Sequence, residues 1–208
     1  MSRENLIVRY RAIERINHWI VAFCFVLLAL SGLALFYPAF FWLTGVFGTP
    51  QLARIIHPFV GVVMFTCFSV MFLRYWKHNL VNREDIKWMM AVGTVLKGGE
   101  VGDTGKYNGG QKGMFWLMAG CLLVMLVTGF IMWRPYFAPM FPIPLIRLAL
   151  LFHAWSALIL IAGIIIHVYA AIWVKGTIRA MVEGVVTTSW ARVHHPKWLR
   201  EMQAKPRK

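Results

Sequence analysis

Charge is missing from long stretches of this chain. Lys, Arg, Asp and Glu are absent from Ile16–Ala53, Ile55–Leu73, Gly113–Trp133 and Leu148–Val174. Runs of this length and apolarity are read as membrane spans. The first is too long for one helix, and Pro38 is placed to end it. Cysteine is also scarce: Cys24, Cys67 and Cys121 all fall inside spans with no CxxC spacing. They read as small packing residues, neither disulfides nor metal ligands. No internal repeat and no low-complexity tract interrupts the chain, and the glycine-rich stretch 98–112 lacks the P-loop pattern, which removes a phosphate-site reading. Outside the spans the 208 residues leave little soluble mass for a separate catalytic domain. The first span is too long for a cleaved signal peptide.

What is present is apolar and basic: 59% hydrophobic residues, mean hydropathy +0.62 and a formal net charge of +14. A surplus of that size could suit nucleic acid, but these cations flank the spans, where membrane topology explains them. Arg54, Arg134 and Arg147 lie between spans one and two or three and four; the other 19 of 22 lie at the termini and in the second loop. The positive-inside rule then places both termini and the second loop in the cytoplasm. The expectation is an all-α integral membrane four-helix bundle, one domain over residues 1–208, with spans at about 16–37, 55–76, 113–133 and 148–174.

Span four carries His153 and His167. Fourteen residues at 100° each bring both rings to nearly one face, roughly 21 Å apart along the axis. An ionisable side chain at membrane depth is a functional candidate by default, although a single one is as easily satisfied by a hydrogen bond inside the bundle. Topology supplies partners. His18 and His167 fall at the inner level, His57 and His153 at the outer. Each pair can give an iron two axial imidazoles, so the pattern predicts two six-coordinate haem b groups, one per leaflet. With no open iron position, the chemistry is electron transfer. Gly32, fourteen residues after His18, and Gly61, one turn after His57, leave room for a flat group. Span three has no histidine and reads as support.

Between the spans, the aromatic stretch 38–50 lies along the outer interface, and Asn82 caps a short helix from Arg83 to about Val95. His78 and the His194-His195 pair read as solvated. The segment Arg134 to Arg147, with four prolines, is a stiff outer loop.

Several stretches carry a specific resemblance. They are Glu14-Arg15-Ile16-Asn17-His18-Trp19, the run from Gly48 to Phe59, the run from Val101 to Asn108, Trp133-Arg134-Pro135-Tyr136-Phe137, Trp173-Val174-Lys175-Gly176 and His194-His195-Pro196. Over nearly its whole length the chain resembles the γ subunit, a cytochrome b, of membrane-bound respiratory formate dehydrogenases of enterobacteria, the O form slightly more than the N form. The resemblance implies that His18, His57, His153 and His167 are the haem ligands, paired as above. It implies a menaquinone or ubiquinone site at Asn108, Gly110 and Gln111, beside the inner ligand. It implies partners: a β subunit with iron–sulfur clusters, an α subunit with a molybdenum or tungsten pterin that oxidises formate outside the bacterial inner membrane, and a trimer of αβγ units. Electrons would cross to the cytoplasmic side and reduce quinone, with no formate chemistry in this chain. The runner-up is the cytochrome b subunit of a nickel–iron hydrogenase or thiosulfate reductase. A haem-free anchor or transporter is the reading from another class.

Overall fold

The computed structural model describes residues 5–96, 99 and 102–204. Arg3, Lys97, Lys205, Arg207 and Lys208 of the charge count, and Gly98, Glu100 and Val101 of the glycine-rich stretch, lie outside the described residues. In chain order the elements are β1 (Leu6–Val8), α1 (Ala12–Phe36), α2 (Pro50–Tyr75), α3 (Arg83–Met90), α4 (Val92–Leu96), α5 (Gly109–Met132), α6 (Ile143–Trp173), α7 (Thr177–Val182), β2 (Val185–Thr187), α8 (Thr188–His194) and α9 (Pro196–Ala204). Among the described residues α1, α2, α5 and α6 are long and apolar enough to cross a bilayer. At most 22% of the most apolar window of any of them is buried. Side chains such as Phe23, Leu73 and Ile165 face outward, which suits lipid and not water.

Each long helix begins four or five residues before its charge-free run. Caps set the helix starts, whereas charge marks only where the solvent changes. Pro50 opens α2 at the first helical position, with the Thr49 hydroxyl accepting from Leu52 N–H at 3.2 Å. Phe36 ends α1 two residues before Pro38, and a 3₁₀ helix of 10 residues follows over Pro38–Phe47.

The chain divides into two compact units. The first comprises Ile16–Leu73 and Leu117–Ile166, the apolar lengths of the long helices. Its core gathers Val21, Cys24, Met64, Phe68, Cys121, Leu122 and Leu160. All three cysteines are free thiols. Asn17 Nδ2–H donates to the Cys67 carbonyl at 2.9 Å.

The second unit comprises Met1–Arg15, Arg74–Trp116 and His167–Lys208. β1 pairs antiparallel with β2, with Ile7 opposite Val186, and a small core forms from Ala180, Val186, Ala191, Trp198 and Leu199. Asn82 caps α3 as expected, in a capping box with Asp85, but the helix breaks at Ala91. Asp85 is also ion-paired with buried Lys112 at 2.6 Å, and Lys112 Nζ donates to the Leu80 carbonyl. His78 and His194 are exposed, as read from the sequence.

His195 corrects that reading. It is 1% exposed, not part of a solvated tail. Its Nδ1 lies 2.7 Å from the Gly105 carbonyl and its Nε2 3.2 Å from Arg9 Nη2. A carbonyl can only accept, so Nδ1 carries the proton and Nε2 accepts from the guanidinium. Arg9 is itself buried. It donates to the Lys106 carbonyl at 2.7 Å and lies about 5 Å from the rings of Trp190 and Trp198. Burial, then the Arg9 charge, pushes the His195 pKa down to about 3. The isolated reading failed because the partners of this histidine are 90 and 186 residues away.

Candidate functional site

The four-helix unit holds a cavity of about 450 Å³, within the size range of small-molecule and cofactor sites. His57 of α2 and His153 of α6 both line it, among mostly apolar residues such as Leu, Phe, Ala and Gly. Their ring centroids stand 6.5 Å apart. A metal binds imidazole nitrogen at about 2.0–2.1 Å, and that nitrogen lies about 1.1 Å from its ring centre, so two trans imidazoles need about 6.3 Å. The spacing therefore fits one metal between them.

The protons fit too. Ser31 Oγ lies 2.7 Å from His57 Nδ1, and Thr128 Oγ1 lies 2.9 Å from His153 Nδ1. Each hydroxyl has one proton, and each donates it to its own helix: Ser31 to the Leu27 carbonyl and Thr128 to the Val124 carbonyl, both at 2.7 Å. Toward the imidazoles they can only accept. With the hydroxyl protons on the helix carbonyls, both histidines are Nδ1–H tautomers and leave the Nε2 lone pair uncommitted, as a metal ligand requires.

Glycine follows each hydroxyl. A Cβ at Gly32 would lie 3.5 Å from His57 Cε1, and one at Gly129 would lie 3.4 Å from His153 Cε1. The absent side chains leave a clear edge beside each ring. Gly32 had been paired by spacing with His18, but its imidazole neighbour is His57. Gly61 lines the cavity, yet its nearest side chain is Leu28 at 4.0 Å. The sequence reading missed Ser31, Thr128, Gly129 and the lining cations Arg54 and Arg134. The signal was available as a repeated hydroxyl–glycine pair, Ser31-Gly32 and Thr128-Gly129, within two spans. Span three supplies no histidine but orients one.

His18, half-buried on α1, belongs to the four-helix unit, with its ring edge-on to Trp19 at 5.5 Å. His167, exposed on α6, belongs to the other unit. Asn108 precedes α5, where Oδ1 accepts from Gln111 N–H at 2.9 Å and Gln111 Oε1 accepts from Asn108 N–H at 3.1 Å. This is a capping box, so both side-chain oxygens are engaged and the amide N–H groups point elsewhere. Gly110 sits in the first turn, exposed, with Trp88 beside it.

Fold and cavity together define a class: a four-span helical membrane protein with facing histidines in an apolar pocket. The chain belongs to the prokaryotic cytochrome b561 family, whose description matches residues 9–184. It is 59% identical to the formate dehydrogenase cytochrome b556(fdo) subunit of Escherichia coli K12, over 98% of this chain and 96% of that one. It is 50% identical to the nitrate-inducible formate dehydrogenase cytochrome b556(Fdn) subunit of the same strain, over 98% and 94%. A formate dehydrogenase cytochrome b556 subunit of Haemophilus influenzae is also 50% identical, over 97% and 85%. The resemblance read from the motifs is borne out, including its lean toward the O form. Membership of a cytochrome b family makes this an integral membrane protein of electron transport that binds haem b, and sets aside the haem-free anchor or transporter.

Proposed function

We propose that this chain is the di-haem b membrane subunit of a formate dehydrogenase complex. It would carry electrons from a periplasmic catalytic subunit, by way of an iron–sulfur subunit, across the bacterial inner membrane to reduce menaquinone or ubiquinone on the cytoplasmic side. Residues 1–208 would work as one functional domain with both termini cytoplasmic, in a trimer of αβγ units. The observation that carries this reading is the pair His57 and His153, at the spacing one metal needs and with both Nδ1 protons engaged.

His57 and His153 would hold the outer haem, and His18 and His167 the inner one; bound there, haem b supplies one-electron chemistry. The residues of the chain fix how. Ser31 and Thr128 hold the imidazole tautomers, and the apolar lining keeps water from the ligating nitrogens. At the cytoplasmic side Asn108 keeps its Nδ2–H₂ donor for a quinone carbonyl while Oδ1 caps α5. The Gly110 N–H, in the unsatisfied first turn, is a second donor. Gln111 braces that turn. Charge moved inward against the membrane potential stores about 2.3 kcal/mol per charge per 100 mV.

Haem-to-protein ratio and low-temperature spectra of single His→Ala variants test the pairing. His57→Ala and His153→Ala should lose the outer haem, and His18→Ala and His167→Ala the inner one. A variant that kept two low-spin haems would break it. Reporter fusions after Thr49 and Ala138 should read external, and one at Gly99 internal. For the quinone, Asn108→Ser is the sharper probe: serine keeps the capping oxygen and lacks the amide donor. Quinone affinity should fall about 5- to 150-fold, the effect of one lost hydrogen bond of about 1–3 kcal/mol in a partly dry pocket. Wild-type reoxidation at subsaturating quinone would move the site elsewhere.

A further inference from the structure

The four-helix unit has a charge peculiarity. Ile16–Leu73 and Leu117–Ile166 contain not one Asp or Glu, but they do contain Arg54, Arg134 and Arg147. The acidic residues among those described, Glu14, Glu84, Asp85, Asp103, Glu183 and Glu201, all lie in the other unit. Membrane topology disfavours Lys and Arg on the outer side, which leaves these three cations unexplained by the rule that places the other 19. Two of the three, Arg54 and Arg134, line the cavity that holds His57 and His153. No carboxylate lines that cavity, and among the described residues neither arginine is ion-paired. Arg54 stands one turn before His57, about 4.5 Å along α2. Arg134 lies two residues past the end of α5, the helix that supplies Thr128 and Gly129.

Both guanidinium groups are exposed at the rim, so water solvates them, but two cations with no carboxylate among the lining make the mouth of this apolar pocket selective for an anionic group. The group proposed above for that pocket supplies it: haem b carries two propionate carboxylates on one edge of an otherwise apolar ring. We propose that Arg54 and Arg134 are the anchor for those two carboxylates. Arginine suits the task because its planar fork donates two parallel hydrogen bonds to a carboxylate and never loses its charge. The pocket is then polarised: imidazoles and glycines at the centre of the ring, cations at one edge. That asymmetry fixes which way the ring enters and holds the carboxylate edge toward the outer surface. This inference rests on the haem reading of the cavity.

The test uses the assembled complex with Arg54→Gln, Arg134→Gln, the double variant and the matching Arg→Lys changes. Each Gln variant should release outer haem about tenfold faster to a haem acceptor, as expected for one lost charged hydrogen-bond pair. The outer midpoint should fall, because a lost cation disfavours the electron-rich form, while the inner midpoint stays put. Lysine, which keeps the charge without the fork, should restore the midpoint more fully than the retention. Should a variant fail to assemble, the wild-type chain depleted of haem and reloaded with haem dimethyl ester asks the same question from the ligand side. The ester should be held as weakly as haem in the double variant. Retention and midpoint unchanged in the double variant, or ester held as tightly as free haem, would overturn the proposal. So would Gln variants that keep haem but lose bound phospholipid or the partner subunits, because the arginines would then serve a lipid phosphate or a docking surface. A wild-type complex without an outer haem would instead overturn the proposed function.

Discussion

Two histidine environments in this protein differ in how many ring nitrogens are engaged. In the four-helix unit, His57 and His153 each have one nitrogen engaged, by Ser31 and Thr128, and one left over. In the other unit His195 has both nitrogens engaged, one by Gly105 and one by Arg9. The first arrangement is the one the proposed haem ligation requires; the second is a structural joint. His195 is the more deeply buried, and His57 and His153 are half-buried beside their cavity, but depth alone does not assign a role. The count of committed ring nitrogens does, and it follows from hydroxyl and carbonyl chemistry alone.

The largest effect expected from this contrast is all-or-none. His57→Gln should abolish outer haem binding, whereas His195→Gln should leave two haems per chain, read from the pyridine haemochrome spectrum. Loss of a haem in His195→Gln would erase the distinction. Next comes the buried ion pair of Asp85 and Lys112 in the second unit. Lys112→Met strands the buried Asp85 carboxylate and should cost about 3–5 kcal/mol, whereas Lys197→Met, at the exposed pair with Glu84, should cost about 0–1 kcal/mol. Denaturant melts followed by Trp190 and Trp198 fluorescence compare them.

A pH titration sharpens the contrast further. The His195 pKa is held at about 3 in the folded protein, below the 6.5 of a free ring. The unfolded tail therefore takes up a proton first as pH falls. The contribution of this residue to tail docking is complete above pH 6.5 and is lost progressively toward pH 3. His194 is exposed as a residue, but its ring lies against Trp190; its pKa is also lowered, chiefly by this partial desolvation and then by Arg9, and pulls in the same direction. Amide exchange of 185–199 should accelerate across that window, and less so in His195→Gln. The smallest effects belong to the hydroxyls. Ser31→Ala or Thr128→Val removes one hydrogen bond, about 0.5–1.5 kcal/mol, and should loosen outer haem about 2- to 12-fold. Ser31→Thr, which keeps the acceptor, should restore retention.

Much of this was legible in the sequence because bilayers impose simple rules. Charge-free length gave four helices, and histidine spacing with topology brought His57 and His153 to one level before any coordinates. Ser31 and Thr128 were invisible because hydroxyls in apolar helices usually satisfy themselves on the preceding turn; here they do that and serve a neighbouring helix as well. His195 was misread because its partners come from loop and lead segments with no periodic signal. β1 and β2, three residues each, are too short to show an alternation, and only the pairing of an N-terminal lead with a C-terminal tail makes them strands.

The glycine pair that opens α5 looks in the sequence like slack in a loop. Its surroundings are crowded instead: a methyl group at Gly109 would sit 2.6 Å from the Asp85 carbonyl oxygen, and one at Gly110 would sit 2.9 Å from the Trp88 ring. Farther along the same helix, Gly113 and Gly120 face open space. Mutational tolerance along α5 should therefore change abruptly within a single turn. Alanine should pass unnoticed at 113 and 120, yet at 109 it must displace the backbone of α3, so the freedom of this segment to drift in sequence is set by one absent carbon atom.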